Sequence, residues 1–189
     1  MDDFPQGIRK ALFLDRDGVI NEDKKYVHRI KDFVLLPGVI DAVRLARERG
    51  YAIVVITNQA GVARGYYGLA DVDVLHSHLC KVFNQAGAAI DAIYFCPHHP
   101  AGKVAEFARS CFCRKPNPGM ILKAARDLKI ELKKSILVGD KVSDIQAGIA
   151  AGVGRTCLIT TSTDEGCADD VAADANCTSL YEYVSQYCA

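Results

Sequence analysis

Two carboxylates, Asp15 and Asp17, directly follow the apolar run at 11–14, and Gly18 comes next. A phosphate monoester is an anion, so a carboxylate attacks it only if a cation neutralises both partners and a second group handles the leaving-group proton. We interpret Asp15 as a nucleophile and Asp17 as a general acid and then base, with both as Mg²⁺ ligands. Because Asp-x-Asp-Gly is also common in solvated turns, the pair needs support from the rest of the chain.

Two further segments carry groups that phosphoryl transfer requires. Thr57, Asn58 and Gln59 follow the apolar run at 52–56. We expect the Thr57 hydroxyl and the backbone amides of the next two residues to donate hydrogen bonds to phosphoryl oxygens. Lys115, within Arg-Lys-Pro, would offset charge on the pentacoordinate transition state. Taken singly, Thr57 could be a helix cap and Lys115 a solvated charge.

The third strand-like run with a polar ending is 136–138, which leads into Asp140 and Asp144. Asp140 would complete the Mg²⁺ shell, and Asp144, one helical turn later, would orient it or its waters. Either carboxylate alone could belong to the acidic first turn of any helix. Together with the earlier segments, and in this order, they predict a phosphoryl-transfer enzyme.

The elements that must position these residues form an alternating pattern. Short β-rich apolar runs recur at 11–14, 52–56, 90–95, 136–138 and 157–160, with helical patterns between them. This alternation predicts an α/β fold, a Rossmann-like parallel sheet flanked by helices. Pro37-Gly38 and Gly50 should bracket the first helix, Asn117 and Pro118 should cap the third, and a last helix is expected near 180–187. In such sheets ligands bind beyond the carboxyl ends of the strands, where these polar segments begin.

A second constellation has metal-ligand spacing. Cys96, His98, Cys111 and Cys113 make a Cys₃His set suited to structural Zn²⁺ in a loop at about 96–113. The loop lacks apolar residues for its own core, so zinc would hold it folded and thereby place Arg114 and Lys115. Buried thiols and surface histidines are the alternative, and His99 competes with His98. The other cysteines, which show no paired spacing, are interpreted as core or surface thiols: Cys80, Cys157, Cys167, Cys177 and Cys188.

Length and composition bound the class of protein. The 189 residues suffice for one domain over 1–189, and half of them are apolar without a run of membrane-spanning length. The first seven residues do not resemble a signal peptide, so we expect a cytoplasmic monomer with no membrane partner. Lys plus Arg equals Asp plus Glu at 23 each, and Trp is absent, which argues against a nucleic-acid partner and favours a small-molecule substrate.

The motif set resembles that of the haloacid dehalogenase superfamily from about 11 to 158. The segments that match the zinc-loop phosphatases of this superfamily are 14–21, 26–28, 57–65, 96–100, 113–116 and 138–141. The resemblance implies a haloacid dehalogenase-like fold and Mg²⁺-dependent hydrolysis through a phospho-aspartate on Asp15. A large cap domain is not expected, because the stretches between motifs are short.

Among members with a zinc loop, the chain is most similar to phosphatases of sugar bisphosphates, which implies a small-molecule sugar bisphosphate as substrate. Arg114 could bind the distal phosphate bidentately, or be a solvated arginine beside the loop. Ala60 stands where the family often has Ser, so a hydroxyl contact there is lost. The residues that match the family's substrate contacts are Asp23, Lys24, Lys25, Tyr26, Thr57, Asn58, Gln59, Ala60, Arg114, Lys115 and Lys141.

Three other functions compete with this one. Histidinol-phosphate phosphatases resemble the chain through the same zinc loop and motifs, but their second motif typically departs from the sequence at 57–65. A receiver-like signalling module would hold a long-lived phospho-aspartate, whereas Asp17 as a general acid and base would make it labile. A zinc-stabilised nucleic-acid binder or end-processing phosphatase is disfavoured by the neutral charge.

Overall fold

The computed structural model describes residues 9–160 and 172–188 as an α/β fold built on one six-stranded sheet. The strands are β1 (Lys10–Leu14), β2 (Tyr51–Asn58), β3 (Ala92–Cys96), β4 (Ile136–Gly139), β5 (Arg155–Ile159) and β6 (Ala175–Cys177). The helices are α1 (Val39–Glu48), α2 (Ala60–Arg64), α3 (Leu69–Gln85), α4 (Gly119–Leu128), α5 (Val142–Ala151) and α6 (Leu180–Tyr187). The N-terminal segment 1–7 and Cys167 lie outside the described residues.

The strand order is β3-β2-β1-β4-β5-β6, and every neighbouring pair is parallel. Chain order reverses at β1, where Leu14 is in register with Val55 of β2 and with Val138 of β4. The residues that follow these three strands therefore emerge together at one edge of the sheet. This edge is the topological switch point at which open α/β sheets bind ligands.

The sheet is covered on both faces, as expected from the continuous apolar runs of its central strands at 11–14 and 52–56. In β1, Leu12 and Leu14 pack on the face covered by α1 and α6, whereas Ala11 and Phe13 pack on the face covered by α4 and α5. This alternation follows the two-residue period of a strand. The predicted α/β class with a parallel, helix-flanked sheet is confirmed.

Several element boundaries differ from the sequence expectations. The strand expected at 52–56 continues through Asn58, and the three-residue β6 was not expected. The cap predicted for the third long helix is wrong: α4 begins at Gly119 with Pro118 as its N-cap residue. The Asn117 amide instead donates to the Cys111 carbonyl at 2.9 Å, because that carbonyl lies within its reach. Gly38 and Gly50 bracket α1 in left-handed conformations, as expected, and α6 confirms the final helix.

Among the described residues, none of the helices has the length and apolarity that crossing a bilayer demands.

Candidate active site

Lys115 lies at the floor of the site with its ammonium group fully engaged. Its Nζ is 2.8 Å from Asp15 Oδ1 and 2.8 Å from Asp144 Oδ1, and it donates to the Ile56 carbonyl at 2.9 Å. Burial disfavours the charged amine, but the carboxylates of Asp144 and Asp15 outweigh it and raise the pKa of Lys115. The lysine is therefore a fixed positive charge between two carboxylates.

The second carboxylate of the first motif has different partners. Asp17 accepts hydrogen bonds from Arg16 at 2.9 and 3.1 Å and from Asn21 at 2.9 Å. Arg16 has no exposed surface and is fixed by the Val27 carbonyl at 2.7 Å. Burial raises the pKa of Asp17 despite the opposing charge of Arg16. A carboxyl group held in this way can keep a proton more readily than one in water.

Thr57 and Gln59 lie beside this carboxylate. The Gln59 side chain donates to the Thr57 hydroxyl oxygen at 2.9 Å and lies 3.4 Å from Asp17 Oδ2, which leaves the Thr57 hydroxyl proton available for donation. The expectation that the Gln59 backbone amide donates to a phosphoryl oxygen is wrong, because that amide donates to the Cys96 carbonyl at 2.8 Å.

Three carboxylates form a group that suits a divalent cation. One oxygen each of Asp15, Asp140 and Asp144 lies within 4.8 Å of the others. Burial, and next the charge of Asp15, raise the pKa of Asp140 to about 8, and its Oδ1 is buried without a hydrogen-bond partner. Oxygen ligands and an excess of negative charge fit Mg²⁺. The group contains Asp144, whereas the Asp17 carboxylate, predicted as a ligand, faces Arg16 and Asn21 instead.

Gly18 makes this arrangement possible. Its φ of +90° lies in the left-handed region, and a Cβ there would come within 2.3 Å of Asp140 Oδ2. A side chain at this position would displace the Asp140 carboxylate. The glycine after Asp17 is therefore required by both backbone conformation and space.

A rim of charged side chains borders the site. Lys141 lies 3.1 Å from Asp23 and 3.3 Å from Asp140, and so links the rim to the carboxylate group. Lys25 and Tyr26 adopt φ of 57° and 58°, a conformation that side chains usually avoid. The Lys25 amide donates to Asp23 at 2.9 Å, which helps to hold this turn.

A cavity of about 340 Å³ brings most of the predicted site residues together. Its lining residues are Asp15, Asp17, Asp23, Lys25, Tyr26, Thr57, Asn58, Gln59, Ala60, Tyr67, Lys115, Lys141, Ser143 and Asp144. Lys24 and Arg114 are not among them: Lys24 pairs with Glu22 at 2.9 Å, and Arg114 donates to the His98 carbonyl at 3.3 Å. Tyr67 and Ser143 were missed, because only the fold brings an isolated hydroxyl residue to the cavity.

The Cys₃His set also comes together. The sulfur atoms of Cys96, Cys111 and Cys113 are 3.2–3.5 Å apart, and Cys96 and Cys113 lie 3.6 and 3.4 Å from His98 Nδ1. A tetrahedral zinc site with Zn–S bonds of about 2.3 Å has edges of roughly 3.7 Å, so the cluster could bind zinc with small adjustments. His99 is turned towards Arg64, with its Nε2 3.4 Å from the guanidinium.

The cysteine-rich loop is tied to the site by backbone contacts. Asn58 exchanges two hydrogen bonds of 3.1 Å with the backbone of Lys115. On the other side, the amides of Lys103 and Val104 donate to the Ala63 carbonyl at 2.6 and 2.9 Å. Phe107 packs against an apolar cluster that includes Val62, so the loop is not wholly without apolar contacts. Its conformation is therefore coupled to the position of Lys115.

Comparison with known proteins gives concordant matches. A family model described as HAD-hydrolase-like matches residues 112–183. The chain is 45% identical over 170 residues to D-glycero-beta-D-manno-heptose-1,7-bisphosphate 7-phosphatase from Yersinia pestis, covering 90% of each chain. It is 51% identical over 150 residues to D-glycero-alpha-D-manno-heptose-1,7-bisphosphate 7-phosphatase from Burkholderia mallei, covering 79% of each.

A solved structure agrees with these relatives. D,D-heptose 1,7-bisphosphate phosphatase from B. bronchiseptica, complexed with magnesium and phosphate, aligns with a TM-score of 0.80 and 32% identity. The alignment covers 94% of this chain and 97% of that one. The resemblance therefore extends through the whole fold and not only through the motifs.

Proposed function

The chain belongs to the D-glycero-D-manno-heptose-1,7-bisphosphate 7-phosphatases, within the haloacid dehalogenase superfamily, and from this premise we propose how it removes the C7 phosphate to leave heptose 1-phosphate. The observation that carries the proposal is the pairing of Asp15 with Lys115 at the floor of a cavity that Thr57 and Asp17 also line. The product keeps the C1 phosphate for later nucleotide activation, on the route to ADP-heptose and the lipopolysaccharide core.

Asp15 is the proposed nucleophile. Its carboxylate attacks the phosphorus of the C7 phosphate, the bond from phosphorus to the C7 oxygen breaks, and an aspartyl phosphate forms. Lys115, which contacts Asp15, and the Thr57 hydroxyl, which lines the same cavity, stabilise the charge on the phosphoryl oxygens. The buried lysine needs no reorganisation to do this, because it is already fixed.

Asp17 is the proposed proton carrier. It donates a proton to the C7 oxygen as that bond breaks, and then takes one from the water that hydrolyses the aspartyl phosphate. Its burial and raised pKa suit the first role. Water attack restores the Asp15 carboxylate and releases inorganic phosphate.

Two metals complete the proposal. Asp15, Asp140 and Asp144 would hold Mg²⁺, and the ion would supply the charge neutralisation that lets an anionic substrate approach carboxylates. Zn²⁺ in the Cys₃His set would have a structural role, because protein groups fill all four positions. The residues present fit both ions in donor type and spacing.

The substrate contacts are proposals as well. Asp23, Lys25, Tyr26 and Lys141 border the cavity and can bind sugar hydroxyls or phosphate oxygens. Lys24 and Arg114 lie outside the cavity lining and would have to extend towards the substrate. Arg114 is the residue proposed to bind the C1 phosphate. We also propose that the protein acts as a cytoplasmic monomer, since one chain supplies all the groups named here.

The experiment is phosphate release, with Mg²⁺, from both anomers of heptose 1,7-bisphosphate and from histidinol phosphate. Both anomers are needed, because one relative is named for the β and another for the α sugar. Asp15→Asn serves as the blank for contaminating phosphatases. We expect strong preference for a heptose bisphosphate, lost in the variant. Preference for histidinol phosphate, or equal release by the variant, would contradict the proposal.

A further inference from the structure

A short chain of hydrogen bonds leads from Tyr67 to the proposed proton carrier. The Tyr67 hydroxyl donates to Gln59 Oε1 at 2.7 Å, and Gln59 Nε2 contacts Thr57 at 2.9 Å and Asp17 at 3.4 Å. Because the phenol donates to the amide oxygen, the amide must turn its N–H groups towards the other two residues. In the reverse orientation the amide oxygen would face the Asp17 carboxylate and repel it.

Tyr67 is itself held in place from several sides. The residue is 8% exposed, and its ring stacks on His28 with centroids 4.7 Å apart and planes at 12°. A Cβ at Gly61 would lie 2.1 Å from Tyr67 Cε1, so the ring occupies space that only glycine leaves free. Burial also raises the pKa of Tyr67 to about 12, which keeps the phenol protonated as a donor.

We propose that Tyr67 is a positioning residue for the proton-transfer step. Acting through Gln59, it keeps Asp17 Oδ2, which lies 3.4 Å from Gln59 Nε2, in place for transfer of the Asp17 proton to the leaving oxygen. The phenol does not touch the reacting atoms and exchanges no proton itself. This inference rests on the proposed function, because it takes from there the role of Asp17 as general acid.

The role predicts a dependence on the leaving group. A p-nitrophenolate leaves readily without a proton, whereas the alkoxide of a sugar requires one. Tyr67→Phe keeps the ring and removes only the hydroxyl. We expect kcat/KM to fall about tenfold for heptose 1,7-bisphosphate and less than about twofold for p-nitrophenyl phosphate, since general acid catalysis contributes roughly 10²–10⁴-fold in full. The ratio kcat/KM is measured because it reports the steps up to the first phosphoryl transfer.

Tyr66→Phe is the matched control. Tyr66 is the preceding residue, carries the same side chain and is 52% exposed. We expect it to leave both ratios within about twofold of the parent protein, in keeping with a surface change. Equal losses in the Tyr66 and Tyr67 variants would overturn the inference.

A second variant separates positioning from a loss of folding. Gln59→Leu removes the connecting amide, and we expect the same leaving-group dependence; adding Tyr67→Phe to it should cause no further loss, because both changes interrupt one pathway. Circular dichroism and the denaturation midpoint verify that each variant is folded. Additive losses in the double variant would show that Tyr67 does not act through Gln59.

Asp17→Asn distinguishes failure of this inference from failure of the proposed function. If Asp17→Asn shows the leaving-group dependence but Tyr67→Phe lowers kcat/KM equally on both substrates, only the positioning role of Tyr67 is overturned. If Asp17→Asn lowers kcat/KM equally on both substrates, Asp17 is not the general acid, and the inference about Tyr67 is overturned as well.

Discussion

At the scale of single residues, Lys115 organises the candidate site. Its ammonium group donates three hydrogen bonds, to the carboxylates of Asp15 and Asp144 and to the Ile56 carbonyl, and these acceptors come from three different segments of the chain. A buried ion pair contributes little net stability compared with apolar packing, but removal of one partner leaves uncompensated charge. The lysine is therefore important to both folding and chemistry.

Lys115→Met should damage both properties. We expect a loss of about 3–5 kcal/mol in the free energy of unfolding, because Asp15 and Asp144 lose their cation. In protein that stays folded, kcat should fall by roughly 10³-fold. Urea denaturation and steady-state assay measure the two effects.

Lys123→Met is the comparison for this variant. Lys123 pairs with Asp127 at 2.5 Å, but its side chain is 57% exposed. An exposed pair is worth about 0–1 kcal/mol, so the change should be small. A Lys115 variant as stable as the Lys123 variant would contradict the assignment.

Substitution of Arg114 tests whether this residue binds the second phosphate of the substrate. Arg114→Ala should lower kcat/KM for the heptose bisphosphate by about tenfold or more, since a bidentate contact to a phosphate is strong. For p-nitrophenyl phosphate, which lacks a second phosphate, the change should be less than about twofold. Arg109→Ala, on the same loop, is the control. Equal losses of kcat/KM on both substrates would contradict a role for Arg114 in substrate specificity.

At the scale of elements, the segment 96–113 connects the cysteine cluster to the catalytic lysine. Cys113 and Lys115 are two residues apart, and the carbonyl of Cys96 accepts a hydrogen bond from the backbone amide of Gln59. The ends of this loop thus lie against the segments that carry Thr57 and Lys115. A metal that fixes the loop would fix those side chains as well.

Cys113→Ser should remove zinc and disturb the site. We expect loss of one equivalent of bound zinc by elemental analysis, faster proteolysis within 97–112, and reduced kcat, because the loop would lose its main constraint. Treatment of the parent protein with a zinc chelator should have the same effect. Cys80→Ser, at a thiol on α3 outside the cluster, should keep both zinc and activity. Full activity without zinc would rule out the positioning role.

At the scale of the whole molecule, the parallel sheet concentrates negative charge at one edge. Asp15, Asp140 and Asp144 lie together there, and one of them holds an unpartnered buried oxygen. Lys115 and Lys141 offset two of the three charges. Stability should therefore depend on a divalent cation and on pH.

Mg²⁺ should raise the melting temperature more at pH 8.5 than at pH 6.5. The metal binds the carboxylate form, and the pKa of Asp140 is raised to about 8, so below that pH a proton must be displaced. Each unit below pH 8 should weaken Mg²⁺ binding by about tenfold for one displaced proton. Thermal denaturation with and without Mg²⁺ at both pH values measures this.

Asp140→Asn should abolish both the Mg²⁺-induced shift and its pH dependence. Asp127→Asn, which changes an exposed carboxylate, should leave them intact. An equal shift at both pH values, or one retained without Asp140, would contradict a magnesium site at this edge.

The sequence by itself determined the α/β class, the strands that carry Asp15, Thr57 and Asp140, and the Cys₃His set. These follow from local signals: apolar runs of strand length, polar residues at their ends, and paired ligand spacing. The local sequence shows which polar side chains follow each strand. In a parallel sheet the carboxyl ends of the strands lie at the same edge, so these side chains come together independently of the loop conformations.

Only the tertiary structure decided contacts between residues distant along the chain. It placed Asp144 rather than the Asp17 carboxylate beside Asp140, and it directed the Gln59 amide to Cys96. It also brought Tyr67 onto Gln59, through a turn whose packing depends on Gly61 and His28. Such contacts depend on side-chain direction and on the space left by neighbouring elements, which no local pattern of residue types encodes.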